Sequence, residues 1–452
     1  MKKGIWTLLA VALWSAAVYA NDIAVTVYNN NLGVVSETRQ LEFKKGTGIL
    51  AFKDVPSSID ASSVKFELVG SGKNVAILEQ NYAYDLVSPE TMYNKYVDQD
   101  IELMDKEGKL YSGKLMAFSG GAVTLLDKSG KVVIVLLSNI TQVTFPSLPD
   151  GLITRPTLFW KYNADTGGQF NTRVSYQTGG MSWQAEYVGV LDKTETRLGL
   201  SGWASITNSS GKSYADATLK LVAGEINRVQ PPMATDNYAL RMGKVAMTAE
   251  AGGFEQKNFF EYHLYTLPRK ATVADREDKQ ISLFDPSNAT VQKIYQYKPE
   301  SSGSDVNVAV KFKNSKQTGL GMPLPAGRIR MFKADDDGSL ILIGEDALDH
   351  TPKDEDVEVK IGNAFDISAE ERLANQTRVS NQVEDRDYEV EFRNHKDVPV
   401  TINVEKKLWG FWDVTKAGFQ YKKKDANTLL FDVTVPANDT TVTKYSVRFT
   451  TR

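Results

Sequence analysis

From Ile23 onward the chain is written in short runs whose apolar residues recur at every second position, each run closed by Gly, Asn or Asp. A period of two places alternate side chains on one face of an extended strand, whereas an amphipathic helix needs a period near 3.6. Ile23, Val25 and Val27 alternate before the Asn29-Asn30-Asn31 turn, and Val64, Phe66 and Leu68 repeat the pattern. Leu41–Phe43 and Ile49–Phe52, separated by Gly46-Thr-Gly48, read as a hairpin closed by glycines. The pattern predicts an all-β, multidomain protein built of β-sandwich modules. Helix is expected only at Pro89–Tyr96 and as a turn or two at Ser368–Ala374.

Five closely spaced β-runs, Ile101–Met104, Leu110–Phe118, Val123–Leu126, Val132–Leu137 and Ile140–Phe145, are separated by Glu107-Gly108, Gly120-Gly121 and Ser129-Gly130. Such spacing predicts a small SH3-like or Sm-like barrel over 97–147, inserted after an N-terminal β domain at 21–88. Prolines and Gly151 mark a linker from Leu148 to Pro156, and sandwich strands run on over 156–452, in one or two sub-domains. The interval 225–257, with Pro231-Pro232 and three methionines, breaks the pattern and reads as a mobile insertion.

The first twenty residues address the chain. Lys2 and Lys3 precede an apolar run from Ile5 to Val18, and Val18 and Ala20 are the small residues of a cleavage site, so a secretory signal peptide ending at Ala20 is expected. The absence of cysteine excludes lipoprotein processing, disulfides, thiolate zinc sites and cysteine nucleophiles. A periplasmic or secreted location follows, with no membrane-spanning helix after the leader. The balance of 53 Lys and Arg against 56 Asp and Glu argues against nucleic acid as a partner.

The segment VSYQTGGMSWQAEYVGVL, Val174–Leu191, resembles the strand–turn–Trp–strand signature of the DUF4139 family. ASITNSSGKSYADATLKLVAG (Ala204–Gly224), LPAGRIRMFKADDDGSLILIGED (Leu324–Asp346), VKIGNAFDI (Val359–Ile367) and YEVEFRNHKDVPVTINVEKKLWGFWDV (Tyr388–Val414) are similar to its later segments, in the family's order. The likeness covers about two-thirds of the chain, Pro156–Arg452, the size of one or two domains. It implies a bacterial envelope setting and brings no catalytic residues. YNNNLGVVSETRQLEF, Tyr28–Phe43, resembles the start of the partner domain of mucoidy inhibitor A-like proteins. In place of their long coiled coil this chain carries the small five-strand module.

No reactive constellation emerges, and no catalytic, cofactor or metal residues are assigned. His263, His350 and His395 are far apart in sequence and lack ligand spacing. Gly46–Ala51 fits a loose dinucleotide fingerprint but has strands on both sides, where that site needs a helix. Ser209-x-x-Lys212 sits on a polar turn rather than a helix face. Asp335-Asp-Asp-Gly338 fails the calcium-loop register, because Lys333 and Gly344 fall where carboxylates are required, and reads as a solvated turn like Asp354-Glu-Asp356.

Aromatic residues are the remaining signal. Trp160, Trp183 and Trp203 punctuate the middle strands, while Trp409, Phe411 and Trp412 crowd together. Alternation places Trp409 and Phe411 on one face and Trp412 on the other, so one face belongs to core and the other offers a platform for a sugar ring or a protein partner. The expectation is an exported, non-enzymatic envelope protein that binds or scaffolds protein or polysaccharide. A glycan- or peptide-cleaving hydrolase using paired carboxylates is the alternative, and a surface adhesion or assembly component a third.

Overall fold

The computed structural model describes residues 22–70, 74–147, 149, 152–224, 226–227, 255–259 and 262–451. The expected signal peptide and the centre of the expected insertion lie outside them. In chain order the strands begin β1 (Asp22–Tyr28), β2 (Gly33–Phe43), β3 (Gly46–Lys53), β4 (Ile59–Leu68) and β5 (Val75–Ala83). Helix α1 (Pro89–Lys95) leads into β6 (Asp100–Asp105), β7 (Leu110–Ser119), β8 (Ala122–Asp127), β9 (Val132–Leu136) and β10 (Ile140–Thr144). Next come β11 (Thr157–Ala164), β12 (Gly168–Thr178), β13 (Met181–Leu191), β14 (Arg197–Asn208) and β15 (Tyr214–Ala223). After these lie β16 (Glu255–Phe259), β17 (Tyr262–Thr266), β18 (Ala271–Val273), β19 (Glu277–Thr290), β20 (Gln292–Tyr297) and α2 (Pro299–Ser302). The strands β21 (Asp305–Lys313), β22 (Gly327–Ala334), β23 (Leu340–Leu348), β24 (Asp356–Arg378) and β25 (Val383–Asn394) follow. The chain closes with β26 (Val400–Lys407), β27 (Phe411–Ala417), β28 (Tyr421–Asp425), β29 (Thr428–Val435) and β30 (Asp439–Thr450).

Two compact units result. The first takes the described residues up to Ser182 together with Thr207–Lys220 and Arg269–Glu277. Its larger sheet runs β15-β1-β2-β12-β4, and a second sheet has the order β3-β11-β5. The alternation predicted for β1 is observed, with Val25 and Val27 fully buried. Phe43 from one sheet meets Tyr162 from the other edge-on, ring centres 4.9 Å apart, in a core shared with Phe170, Val75 and Ala164. Strand β11, beyond the proline-rich stretch, pairs with β3 and β5 from before it.

The hairpin expected at 41–52 is corrected here. β2 pairs with β1 and β12, whereas β3 pairs with β11, so the chain turns a corner between sheets at Lys44-Lys45. Gly46 makes the turn with φ +85°, but Gly48 serves a different purpose. A Cβ there would lie 2.5 Å from the Tyr162 hydroxyl, so the glycine admits the ring.

The five β-runs read between Ile101 and Phe145 are strands of one sheet, preceded by a short helix. Ser88 caps α1 through a reciprocal capping box with Thr91, and Pro89 starts it, which is why seven residues suffice for a helix here. The sheet's five strands are ordered β10-β6-β7-β8-β9, around Ile101, Leu103, Leu115, Val123, Leu125 and Val135, with Tyr93 and Tyr96 from the helix side.

The second unit takes the described residues of Trp183–Ile206, Leu221–Pro268 and Asp278–Arg452. One sheet is ordered β19-β14-β13-β22-β23, with β13 and β22 parallel. A nine-stranded sheet is ordered β27-β30-β25-β24-β21-β20-β26-β29-β28. Both halves of that sheet send side chains into one core: Val390, Phe392, Tyr445 and Val447 from one half, Ile402, Val404, Phe431 and Val433 from the other. The helical turn expected at Ser368–Ala374 is corrected to strand, within β24. Its Ala, Glu and Arg favour helix, but Ile367 and Ala369 alternate into the core and β25 pairs along the segment, so burial overrides propensity.

Three asparagines end strands in the same way. Asn208, Asn314 and Asn394 are each fully buried at the last residue of β14, just after β21 and at the last residue of β25. The Asn208 amide donates to the carbonyls of Lys212, Val273 and Ala274. Asn314 donates to those of Met322, Thr351 and Pro352, and Asn394 to those of Val398, Val435 and Pro436. Each side-chain oxygen accepts one backbone N–H, from Ser210, Gly321 and Lys396 respectively. One carboxamide thereby satisfies the backbone at each corner where the chain leaves its strand.

Candidate functional site

The Trp409-Gly410-Phe411 segment joins β26 to β27. Leu408 is buried and anchors it, Gly410 turns it with φ +88°, and the two aromatic rings on either side project outward. Trp409 is 71% exposed and Phe411 55%, whereas Trp412 is 5% exposed and its indole N–H donates to the Ala426 carbonyl at 2.7 Å. Trp412 therefore belongs to the core, and the alternation separates the three as anticipated. Trp160 and Trp183 are also buried, with indole N–H groups donating to the Gln80 side chain and the Val222 carbonyl.

Trp409 and Phe411 border a cleft of about 650 Å³, lined also by Tyr388, Lys406, Arg386 and Phe449. The Lys406 ammonium lies 4.8 Å above the Tyr388 ring, and the Arg386 guanidinium 4.7 Å above that of Phe449. Every cation of the lining has an acidic partner. Lys406 pairs with Glu300 at 2.7 Å and with Glu371, Arg386 with Glu384, and Lys407 with Glu405 at 3.6 Å. Burial acts to lower the Lys406 pKa, but Glu371 and Glu300 outweigh it and hold it above the ordinary lysine value. Tyr445 donates to Glu371 at 2.6 Å, completing the network beneath the cleft.

The arrangement offers aromatic faces beside hydrogen-bonding groups of balanced charge, the equipment for stacking on a sugar ring while its hydroxyls are bound. The hydrogen bond from Arg386 holds Glu384 below the usual glutamate range, and Glu300 and Glu371 are engaged by Lys406.

Other residues singled out in the sequence fall elsewhere. Lys212 is buried against Glu37, and Ser209 is bonded to the Gly180 carbonyl, so they do not form a nucleophile and base. Asp335–Gly338 makes the β22–β23 turn, where Gly338 has φ +86°. His263 and His350, distant in sequence, line one cavity of about 40 Å³, in which His350 Nδ1 accepts from the Ala326 N–H. Among the described residues no group of three His, Asp or Glu is placed to hold a metal ion. Sequence reasoning missed the cleft's Arg386, Tyr388, Lys406 and Phe449, because strand alternation marks a face and not the partner strand brought beside it.

Fold and site together define an all-β protein of sandwich-like modules with an exposed aromatic cleft. Residues 172–408 match the domain of unknown function DUF4139, and the chain belongs to that family. The match ends at Leu408, so Trp409 and Phe411 lie just beyond it. No curated protein matches the sequence significantly.

Proposed function

We propose that this is an exported, non-enzymatic protein of the bacterial envelope that binds polysaccharide at the Trp409–Phe411 cleft and scaffolds envelope components there. The observation that carries the reading is the pair of large aromatic side chains held exposed on a cleft whose cations are all neutralised by neighbouring carboxylates. Exposed aromatic surface of this kind marks a binding site more often than a defect of folding. Balanced charge favours a neutral glycan over a strongly anionic one. The leader-like residues 1–20 and the likeness of residues 28–43 to mucoidy inhibitor A-like proteins support the envelope setting.

The test is calorimetric titration of the mature protein with purified envelope polysaccharides, repeated for a Trp409→Ala/Phe411→Ala double variant. Binding lost in the double variant supports the assignment. Undiminished binding, or none to any envelope glycan, overturns it. Export is tested separately by the mass of protein recovered from the envelope, expected to begin at Asn21.

A further inference from the structure

The five-stranded module leaves two sheet edges, and they differ. β10 is bulged between Ile140 and Gln142, and its outward side chains include Thr141, Gln142 and Thr144, features that discourage strand addition. β9 has neither protection. It is regular, reads Val-Val-Ile-Val-Leu without charge, Gly or Pro, and pairs among the described residues with β8 alone. Its Val132, Ile134 and Leu136 side chains are 65, 68 and 53% exposed.

Among the described residues the backbone of the same three residues is also unpaired. Asp127 N–H donates to the Lys131 carbonyl, and Leu137 N–H to the Gly121 carbonyl, at the two ends of the β8–β9 pair. Hydrogen-bonded and non-hydrogen-bonded positions alternate along an antiparallel ladder. Residues 133 and 135 therefore face β8, and the N–H and C=O groups of Val132, Ile134 and Leu136 point to the open edge. An apolar stripe and a row of free backbone groups thus coincide.

We propose that β9 is a homodimer interface, pairing antiparallel with β9 of a second copy about a two-fold axis at Ile134. In that register Ile134 faces its own counterpart and Val132 faces Leu136 of the other copy. All three outward residues on each strand then exchange backbone hydrogen bonds, and the apolar stripe becomes continuous. Charge selects the direction: antiparallel pairing sets each Lys131 near the uncharged Leu137-Ser138-Asn139 end of the other strand, whereas a parallel arrangement would juxtapose the two lysines. The contact is isologous and closes at two copies.

Sedimentation analysis of the full mature chain over a concentration series, with amide hydrogen exchange on the same samples, tests this. A concentration-dependent dimer is expected, with exchange at Val132, Ile134 and Leu136 slowing at least tenfold as the dimer fills. Ile134→Lys should leave a monomer, while Leu110→Lys, an exposed position on β7, should still dimerise. Because Ile134 is exposed, its replacement leaves the module's core intact, and the wild-type exchange pattern gives an independent reading. A monomer at every concentration, a dimer insensitive to Ile134→Lys, or open-ended assembly through β10 would overturn the proposal. Protection of β9 seen only when a foreign extended peptide is added would overturn it too.

Discussion

The Lys212 ammonium lies 3.1 Å from Glu37 Oε1, an ion pair 175 residues apart in sequence with both side chains almost wholly buried. Arg39 shares the same carboxylate at 2.7 Å, and the Tyr176 hydroxyl donates to it at 2.9 Å. Burial pulls the Lys212 pKa below its ordinary value, with Glu37 opposing the shift. Glu37 is thus the single anion that two cations share.

Replacing the shared anion should therefore cost more than replacing one of its cations. Glu37→Gln strands both Lys212 and Arg39 and is expected to destabilise the first unit by about 3–5 kcal/mol. Lys212→Met removes a buried charge while Arg39 still neutralises Glu37, and should cost clearly less. Urea unfolding of the two variants side by side decides the order; equal losses would contradict the shared-anion reading.

The strand-ending asparagines should respond alike despite their separation. Asn208→Ala, Asn314→Ala and Asn394→Ala each orphan buried carbonyls and should cost about 1–3 kcal/mol. Asp substitutions keep the size but replace the donating NH₂ by an acceptor facing three carbonyls, and should be worse at every site. Thermal unfolding of the six variants is the measurement, and an Asp variant as stable as wild type would refute the donor role.

At the aromatic cleft, stability and binding should separate. Trp412→Ala empties a core position and should cost about 3–5 kcal/mol. Trp409→Ala, at an exposed site, should change stability by no more than about 0.5 kcal/mol while abolishing glycan binding. Combined denaturation and titration of both variants checks the division.

Glu195 contributes to the acid response of the second unit. Burial acts to raise its pKa, but hydrogen bonds and charge from Lys293 and Lys333 prevail and hold it below the ordinary 4.5. A carboxyl depressed on folding contributes its full stabilisation above its unfolded value and loses it as pH falls through the folded value. The wild type should therefore lose stability below about pH 4.5 more steeply than Glu195→Gln. Parallel pH titrations of the unfolding midpoint test this, and superimposable acid limbs would contradict it.

Much of the secondary structure was legible because its signals are local. Alternation located Val25 and Val27 and the five strands of the small module, and the interval read as helix at Pro89–Tyr96 does hold one. Gly46–Phe52 misled, because glycine between two strands signals a turn but not whether the strands pair afterwards. Ser368–Ala374 misled for the opposite reason, a helix-favouring composition pressed into a strand by pairing with β25 and by burial of Ala369. The cleft was half legible: Trp409 and Phe411 stood out, whereas Arg386 and Phe449 carry no sign of each other in the sequence.

By itself, then, the sequence determined the all-β class, the places where the chain turns, and the separation of Trp409 and Phe411 from Trp412. The tertiary structure alone decided that Glu37 meets Lys212, that β2 and β3 part company, and which side chains line the aromatic cleft. The physical reason is that a strand's side-chain period is local, while the backbone groups that join strands are the same in every residue. Partner choice therefore falls to burial and packing over the whole chain, which no short window of sequence contains.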